Sequence, residues 1–217
     1  MQDADSLRTA ITVFAPDPRT NHTLHDRHHV ISQFQLAEHT PEAVRIHFET
    51  AKNVFLYAWC VFRFHMVAEH YLFSTLELAL RERLCQVRLI SRETERSPGL
   101  STLLKIARDS KLVSNDRFVG RERWMLTRAK SRYSHEMAIR MIKEGIEKED
   151  SDESNVQPTA EDIAFDWLDN LIEHLPNQRN MHAHGTDMLY ATVLWSFEVV
   201  CELTNQLFTD PEHRPSE

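Results

Sequence analysis

From Glu42 to Arg96 the chain contains no glycine and no proline, and that absence decides most of what it can become. Those two residues are the usual local signals that end a helix, so a long stretch without either has no instruction to stop being helical. Within it, apolar residues recur at Val44, Phe48, Ala51, Phe55, Phe62, Met66, Phe73, Leu76, Leu80, Leu84 and Val87. Most of the gaps are those that keep side chains on one helix face. Ordinary helices run about 8–20 residues, so the stretch predicts two antiparallel helices, with nothing in it to mark the break. Thr40-Pro41 supplies a start, threonine as N-cap and proline at the first helical position. Ser97-Pro98-Gly99 supplies the stop.

The remainder reads the same way. A short helix is expected within 24–38, an amphipathic one over Leu100–Leu112 and a longer charged one around 121–148. Another covers 160–175 and stops at Pro176. A last helix spans about 187–208, with Leu189, Val193, Phe197, Val200, Thr204 and Leu207 on one stripe. No strand alternation and no internal repeat is present. The expected fold is all-α, a helical bundle with long antiparallel helices. The expected layout is an N-terminal arm with a short helix (1–40), a helical domain (41–210) that carries a charged insertion at 117–158, and a flexible tail (211–217). The acidic stretch 147-EKEDSDESNVQP-158 reads as a solvated loop.

Composition narrows the function classes. The net charge of −8 means that any nucleic-acid binding must use a local patch. The longest apolar run, 54-VFLYAWCVF-62, is nine residues, where a bilayer crossing needs roughly 20. It reads as a helix buried on most sides or set at a subunit interface, and no membrane partner is expected. Cys60, Cys85 and Cys201 are far apart in apolar pattern and read as reduced core thiols. The opening MQDADSLRTA lacks a secretory pattern, so a cytoplasmic location is expected. No Gly-rich phosphate loop, GxSxG or HExxH occurs, which leaves NTPase, hydrolase-elbow and zincin readings without support.

One short stretch concentrates chemistry. Residues 179-RNMHAH-184 place an arginine, an asparagine and two histidines just before Gly185, in a chain with only four glycines. With Pro176 ending the helix before it, Asn177 would cap a new turn whose free N–H groups attract anions. On that turn Asn180 and His184 share a face, with Arg179 and His182 one face over. Such a site could hold a phosphate, orient it and move a proton. These are the needs of phosphodiester transfer without a metal, in which an RNA 2′-hydroxyl is the nucleophile. One histidine serves poorly as both base and acid in one step; a symmetric dimer supplies a second. A capped turn with a paired arginine is the bland alternative.

The string Arg179-Asn180-x-x-Ala183-His184-Gly185 resembles the signature of the HEPN superfamily, an arginine followed after several residues by a histidine, with asparagine often next to the arginine. The stretch 69-EHYLFSTLELALRERL-84 is similar to the family's second long helix, and 100-LSTLLKIARDSKL-112 to the short helix after it. The resemblance covers roughly 41–112 and 160–208. It implies an all-α bundle that dimerises, bringing two motifs together across a cleft. It also implies a metal-independent endoribonuclease of toxin–antitoxin, abortive-infection or CRISPR-linked defence, with no cofactor. Its partners would be RNA, a second copy, and a cognate antitoxin or effector subunit. Arg179 would stabilise the phosphate, Asn180 would orient and His184 would handle the proton. His182 lies outside the signature and is a candidate helper. Some toxin members carry a modifiable tyrosine two residues after the histidine; here that position is Thr186. Other members have lost activity and act as adaptors that bind a nucleotide, nucleic acid or protein, which is the alternative function.

Between Glu77 and Arg132 there are fourteen Lys/Arg against seven Asp/Glu. The densest part, 121-RERWMLTRAKSRY-133, makes Arg121, Arg123, Arg128, Lys130 and Arg132 candidate RNA-phosphate contacts, with Trp124 and Tyr133 interleaved for stacking. The plainer reading is a solvated face. His25 and His29 have helical metal spacing but no cysteine partner, so no metal is assigned. Glu77 and Arg81 are spaced for a helix salt bridge. Glu69 and His65 sit among apolar residues, as satisfied core groups or as part of a cleft.

Overall fold

The computed structural model describes residues 6–91, 98–147, 152–184 and 193–209. Among these, every regular element is helical: α1 (Leu24–Ser32), α2 (Glu42–Tyr57), α3 (Phe64–Gln86), α4 (Leu100–Asp109), a 3-10 turn (Asn115–Arg117), α5 (Arg121–Glu144), α6 (Ala160–Ile163), α7 (Trp167–His184) and α8 (Leu194–Phe208). None is long and apolar enough to cross a membrane. The architecture is all-α. The chain divides into two compact units, Met1–Val113 with Leu171–Glu217, and Ser114–Asn170. The expected insertion at 117–158 falls within the second. The expected tail at 211–217, Gly185, Thr186 and the expected start of the last helix near 187 lie outside the described residues.

In the first unit α3 is the central helix. It packs on α2, α4 and α8. Ala68, Leu72, Phe73, Leu76, Ala79, Leu80 and Leu84 are all fully buried, so α3 is apolar on more than one face. Helix α8 is covered almost throughout. Its Phe197 sits 5.7–6.3 Å from the rings of Phe34, Phe48 and Phe55. Burying a side chain of that size contributes about 1.5–3 kcal/mol.

The two helices expected within 42–96 are α2 and α3, joined closely enough to run antiparallel. Their break at 58–63 takes up the second half of the apolar run 54–62, which is therefore not one buried helix. What holds the break open comes from far away in the chain. The Asp17 carboxylate accepts from the Phe62 N–H at 3.2 Å. The Asp17 N–H donates to the Trp59 carbonyl at 2.8 Å. Arg8 donates to the Cys60 carbonyl at 2.8 Å, and Trp59 Nε1 to the His22 carbonyl at 3.1 Å. Through Arg8, Asp17 and His22 the N-terminal arm thus staples the α2–α3 turn.

Two further boundaries differ from expectation. Pro41 itself is the N-cap of α2, and Thr40 is buried one position earlier, with no hydrogen-bond partner for its Oγ1 among the described residues. Pro176 does not end a helix: it lies inside α7, which runs on to His184. Leu171, Ile172 and Leu175 are fully or nearly buried in the turns before the proline, and beyond it His182 is bonded to Glu69 of α3. Of the cysteines only Cys201 is buried; Cys60 and Cys85 are half-buried, and all three are free thiols. Burial pushes the Cys201 thiol up to about 12.

The second unit is built on α5 and α6. Trp124 is buried, with Phe118 at 5.1 Å and Trp167 at 5.4 Å between ring centres. Asp162 closes a capping box with Thr159 and takes Arg132 on both oxygens at 2.7–2.8 Å. The Thr159 N–H, and then Arg132, hold its carboxyl down at about 2. Helix α5 ends where Gly145 takes the left-handed conformation, φ +68°, that a side chain would strain. In the acidic stretch, Glu153 accepts from Ser134 of α5 at 2.8 Å.

Candidate functional site

The residues 179–184 form the last turns of α7, not the first turn of a new helix. Asn177 caps nothing; its side chain donates to the Glu173 carbonyl at 3.1 Å. The N–H groups of this stretch sit inside a continuous helix, and a helix end of this polarity repels anions rather than attracting them. Asn177 therefore offers no helix start at which an anion could bind.

A different helix start takes its place. Arg179 and Asn180 line an open cleft of about 230 Å³ together with Glu77, Pro176 and the opening residues of α4, Gly99 to Thr102. Gly99 is the N-cap of α4 and has no side chain to satisfy the first N–H groups. The first turn of α4 thus brings a partial positive charge into the cleft that holds the arginine, and N–H donors that no side chain caps among the described residues.

Within the cleft Arg179 is about a third exposed, with its Nη2 3.5 Å from Glu77 Oε2. Its Nη1 reaches Asn180 Oδ1 at 3.4 Å, and its Nε has no partner among the described residues. Glu77 is shared: its Oε1 accepts from Arg81 at 2.7 Å, and Arg81 also donates to the Pro98 carbonyl. The expected Glu77–Arg81 pair is present, and it borders the motif.

The two histidines part ways. His184 is exposed at the end of α7, with no hydrogen-bond partner among the described residues. His182 turns inward, its side chain only 3% exposed. Its Nε2 donates to Glu69 Oε2 at 2.7 Å, and its ring stacks on Phe73 at 6.3 Å. The second oxygen of Glu69 accepts a hydrogen bond from the Ser196 hydroxyl. His182 therefore does not stand in the cleft as a helper. Beside this cluster is His70. Burial first, and the charges of Arg179 and His182 next, pull its imidazole below the ordinary histidine range.

Glu69 and His65 are both buried and both partnered. His65 Nε2 lies 2.6 Å from Arg27 Nη2. Arginine has only donors, so Nε2 accepts and the ring proton is on Nδ1.

Of the basic candidates in the second unit, three are engaged within it. Arg121 donates to the Ile163 carbonyl at 3.0 Å. Arg128 lies 3.3 Å from Asp162 and 4.0 Å over the Phe165 ring. Arg132 is bound to Asp162. Arg123 is exposed and Lys130 half-buried. Trp124 is buried and offers no stacking face, and Tyr133 lines a separate cavity of about 350 Å³ with Arg132, Glu136 and Asn155. Two of the five candidates, Arg128 and Arg132, are thus paired with the same buried carboxylate, Asp162. Among the described residues no group of three His, Cys, Asp or Glu is placed to hold a metal ion, His25 and His29 included.

Glu77, Ser196 and the start of α4 were not assigned to the site from sequence, and Glu69 stood open between the core and a cleft. The signal was present in two spacings. Glu69, Phe73 and Glu77 fall on one face of α3 at steps of four, and Arg179 and His182 on one face of α7 at a step of three. Laid in opposite directions, those faces match: Arg179 meets Glu77, and His182 meets Phe73 and Glu69. No protein-family model matches the chain, and neither a curated protein nor a solved structure matches it.

Proposed function

We propose that the chain is a metal-independent endoribonuclease of HEPN type, working as a homodimer in a toxin–antitoxin or anti-phage setting. The observation that carries the reading is the cleft in which Arg179 and Asn180 face the uncapped start of α4. A guanidinium and free helix N–H groups at one point are what a phosphodiester needs. The motif resemblance supplies the chemistry. The 2′-hydroxyl of the nucleotide attacks its own 3′-phosphate, the P–O5′ bond breaks, and a 2′,3′-cyclic phosphate and a free 5′-hydroxyl result. Arg179 stabilises the charge on phosphorus and Asn180 orients the phosphate. The exposed His184 takes or gives a proton, with its counterpart on a second copy doing the converse. An antitoxin or effector subunit would govern when the cleft is open to RNA.

A non-catalytic adaptor is the second reading. It is favoured by one observation: nothing among the described residues hydrogen-bonds to His184 to orient its ring.

The test is RNA cleavage by purified protein in excess EDTA, unsubstituted beside His184→Ala. Cleavage by the unsubstituted protein alone, leaving 2′,3′-cyclic phosphate ends, is the expected result. Equal cleavage by His184→Ala would remove the mechanism. Cleavage by neither, with RNA binding that Arg179→Ala abolishes, would select the adaptor.

A further inference from the structure

Glu69 joins three helices through one carboxylate. It belongs to α3; its Oε2 holds His182, in the last turn of α7, and its Oε1 holds Ser196, in the first turn of α8. The carboxylate and the imidazole are both almost wholly buried, 7% and 3% exposed at the side chain. Water does not compete for these bonds there, so they are strong and directional. With both oxygens engaged, the carboxylate cannot rotate away from His182.

What this clamp governs is the end of α7. Among the described residues His184 has no hydrogen bond of its own, and Arg179 is tied down only by the pair with Glu77 at 3.5 Å and by Asn180. The place of each is therefore set by the helix backbone beneath it. The fixed point of that backbone is His182, three residues after Arg179 and two before His184. A histidine stacked on Phe73 and bonded to Glu69 locks both the rotation and the depth of the turn.

We propose that Glu69, acting through His182 and steadied by Ser196, is the positioning residue of the site: it sets where Arg179 and His184 stand without touching substrate. As far as catalysis is concerned, this rests on the ribonuclease reading; the mechanical part does not. The network also explains a buried histidine within the motif that plays no part in the cleft.

The experiment compares His182→Leu, which fills the volume without the donor, with His182→Gln, whose amide N–H can reach Glu69. Two readouts are taken: amide hydrogen exchange across 179–184, and kcat and KM for RNA cleavage in EDTA. In His182→Leu, exchange across 179–184 is expected to quicken at least about tenfold while α2 is unchanged, because local opening follows the loss of the clamp. Cleavage is expected to lose about tenfold or more in kcat, with KM moved about twofold at most, the pattern of misplaced groups. His182→Gln restores both, and Glu69→Leu added to His182→Leu worsens neither, as expected of a single unit. Unchanged exchange in a folded His182→Leu, or a Gln variant no better than Leu, overturns the proposal. Should His182→Leu fail to fold, Ser196→Ala is read in the same way. A protein that cuts no RNA but shows the exchange pattern keeps the clamp and loses the ribonuclease. One that cuts RNA equally well with and without His182 does the reverse.

Discussion

Arg179 on α7 stands 3.5 Å from the Glu77 carboxylate on α3, and the other oxygen of Glu77 is held by Arg81 at 2.7 Å. The arginine of the motif therefore already has an anion beside it. A phosphate entering the cleft must share the guanidinium with Glu77 or displace it. Removing that charge without changing shape should favour the phosphate. An ion pair this exposed is worth up to about 1 kcal/mol. Glu77→Gln in a His184→Ala background is thus expected to bind a short RNA oligonucleotide about three- to fivefold more tightly, and the gain should shrink as salt rises. Weaker binding would mean that Glu77 orients Arg179 rather than competing for it.

The start of α4 gives a second prediction. Gly99 has extended backbone angles, φ −74° and ψ 169°, and a Cβ added there meets nothing within 4 Å. An aspartate at this position can cap the helix, which leaves stability equal or raises it by a few tenths of a kcal/mol. The same carboxylate would occupy the free N–H groups and put a negative charge in the cleft. Gly99→Asp should therefore keep or raise Tm while RNA-oligonucleotide affinity falls at least about fivefold. Unchanged affinity would take α4 out of the site.

These two residues also show what the sequence could and could not reveal. The helical class, the pair α2–α3 and the i,i+4 bond of Glu77 to Arg81 follow from local spacing, because helix periodicity and helix salt bridges are properties of near neighbours. The break at 58–63 does not, because it is held by Asp17, Arg8 and His22, some forty residues upstream. At Pro176 a local breaker is overridden by tertiary contact, the bond of His182 to Glu69 in the turns beyond the proline. The motif is legible as composition, but local sequence does not show that it stands at the C-terminal end of a helix. The helix start that meets Arg179 belongs to α4, which only folding brings near.

The buried groups around the arm make the last prediction, an acid sensitivity in two steps. Burial first, and the charge of Arg27 second, pull His65 down to about 4 from an ordinary value of 6.5. Between those values the unfolded chain binds a proton that the folded chain refuses, so stability falls as pH drops below 6.5 and the loss is complete below about 4. The size of this step is about 3 kcal/mol. Asp17 follows at lower pH. The Arg19 side chain first, with backbone N–H groups of Arg19 and Phe62 adding to it, holds its carboxyl at about 2 against an ordinary 3.8. Its contribution is full above 3.8 and is lost as pH falls through about 2. Urea midpoints at about pH 7.5 and about pH 4.5 isolate the first step. The unsubstituted protein should lose markedly more than His65→Gln, whose side chain does not titrate. Equal losses would place the acid sensitivity elsewhere. Asp17→Ala should cost about 3 kcal/mol or more at neutral pH, because it leaves Arg8 and Arg19 without their anion and the α2–α3 turn without its staple. It should also flatten the acid limb below about pH 4, where in the unsubstituted protein Asp17 is the group being protonated.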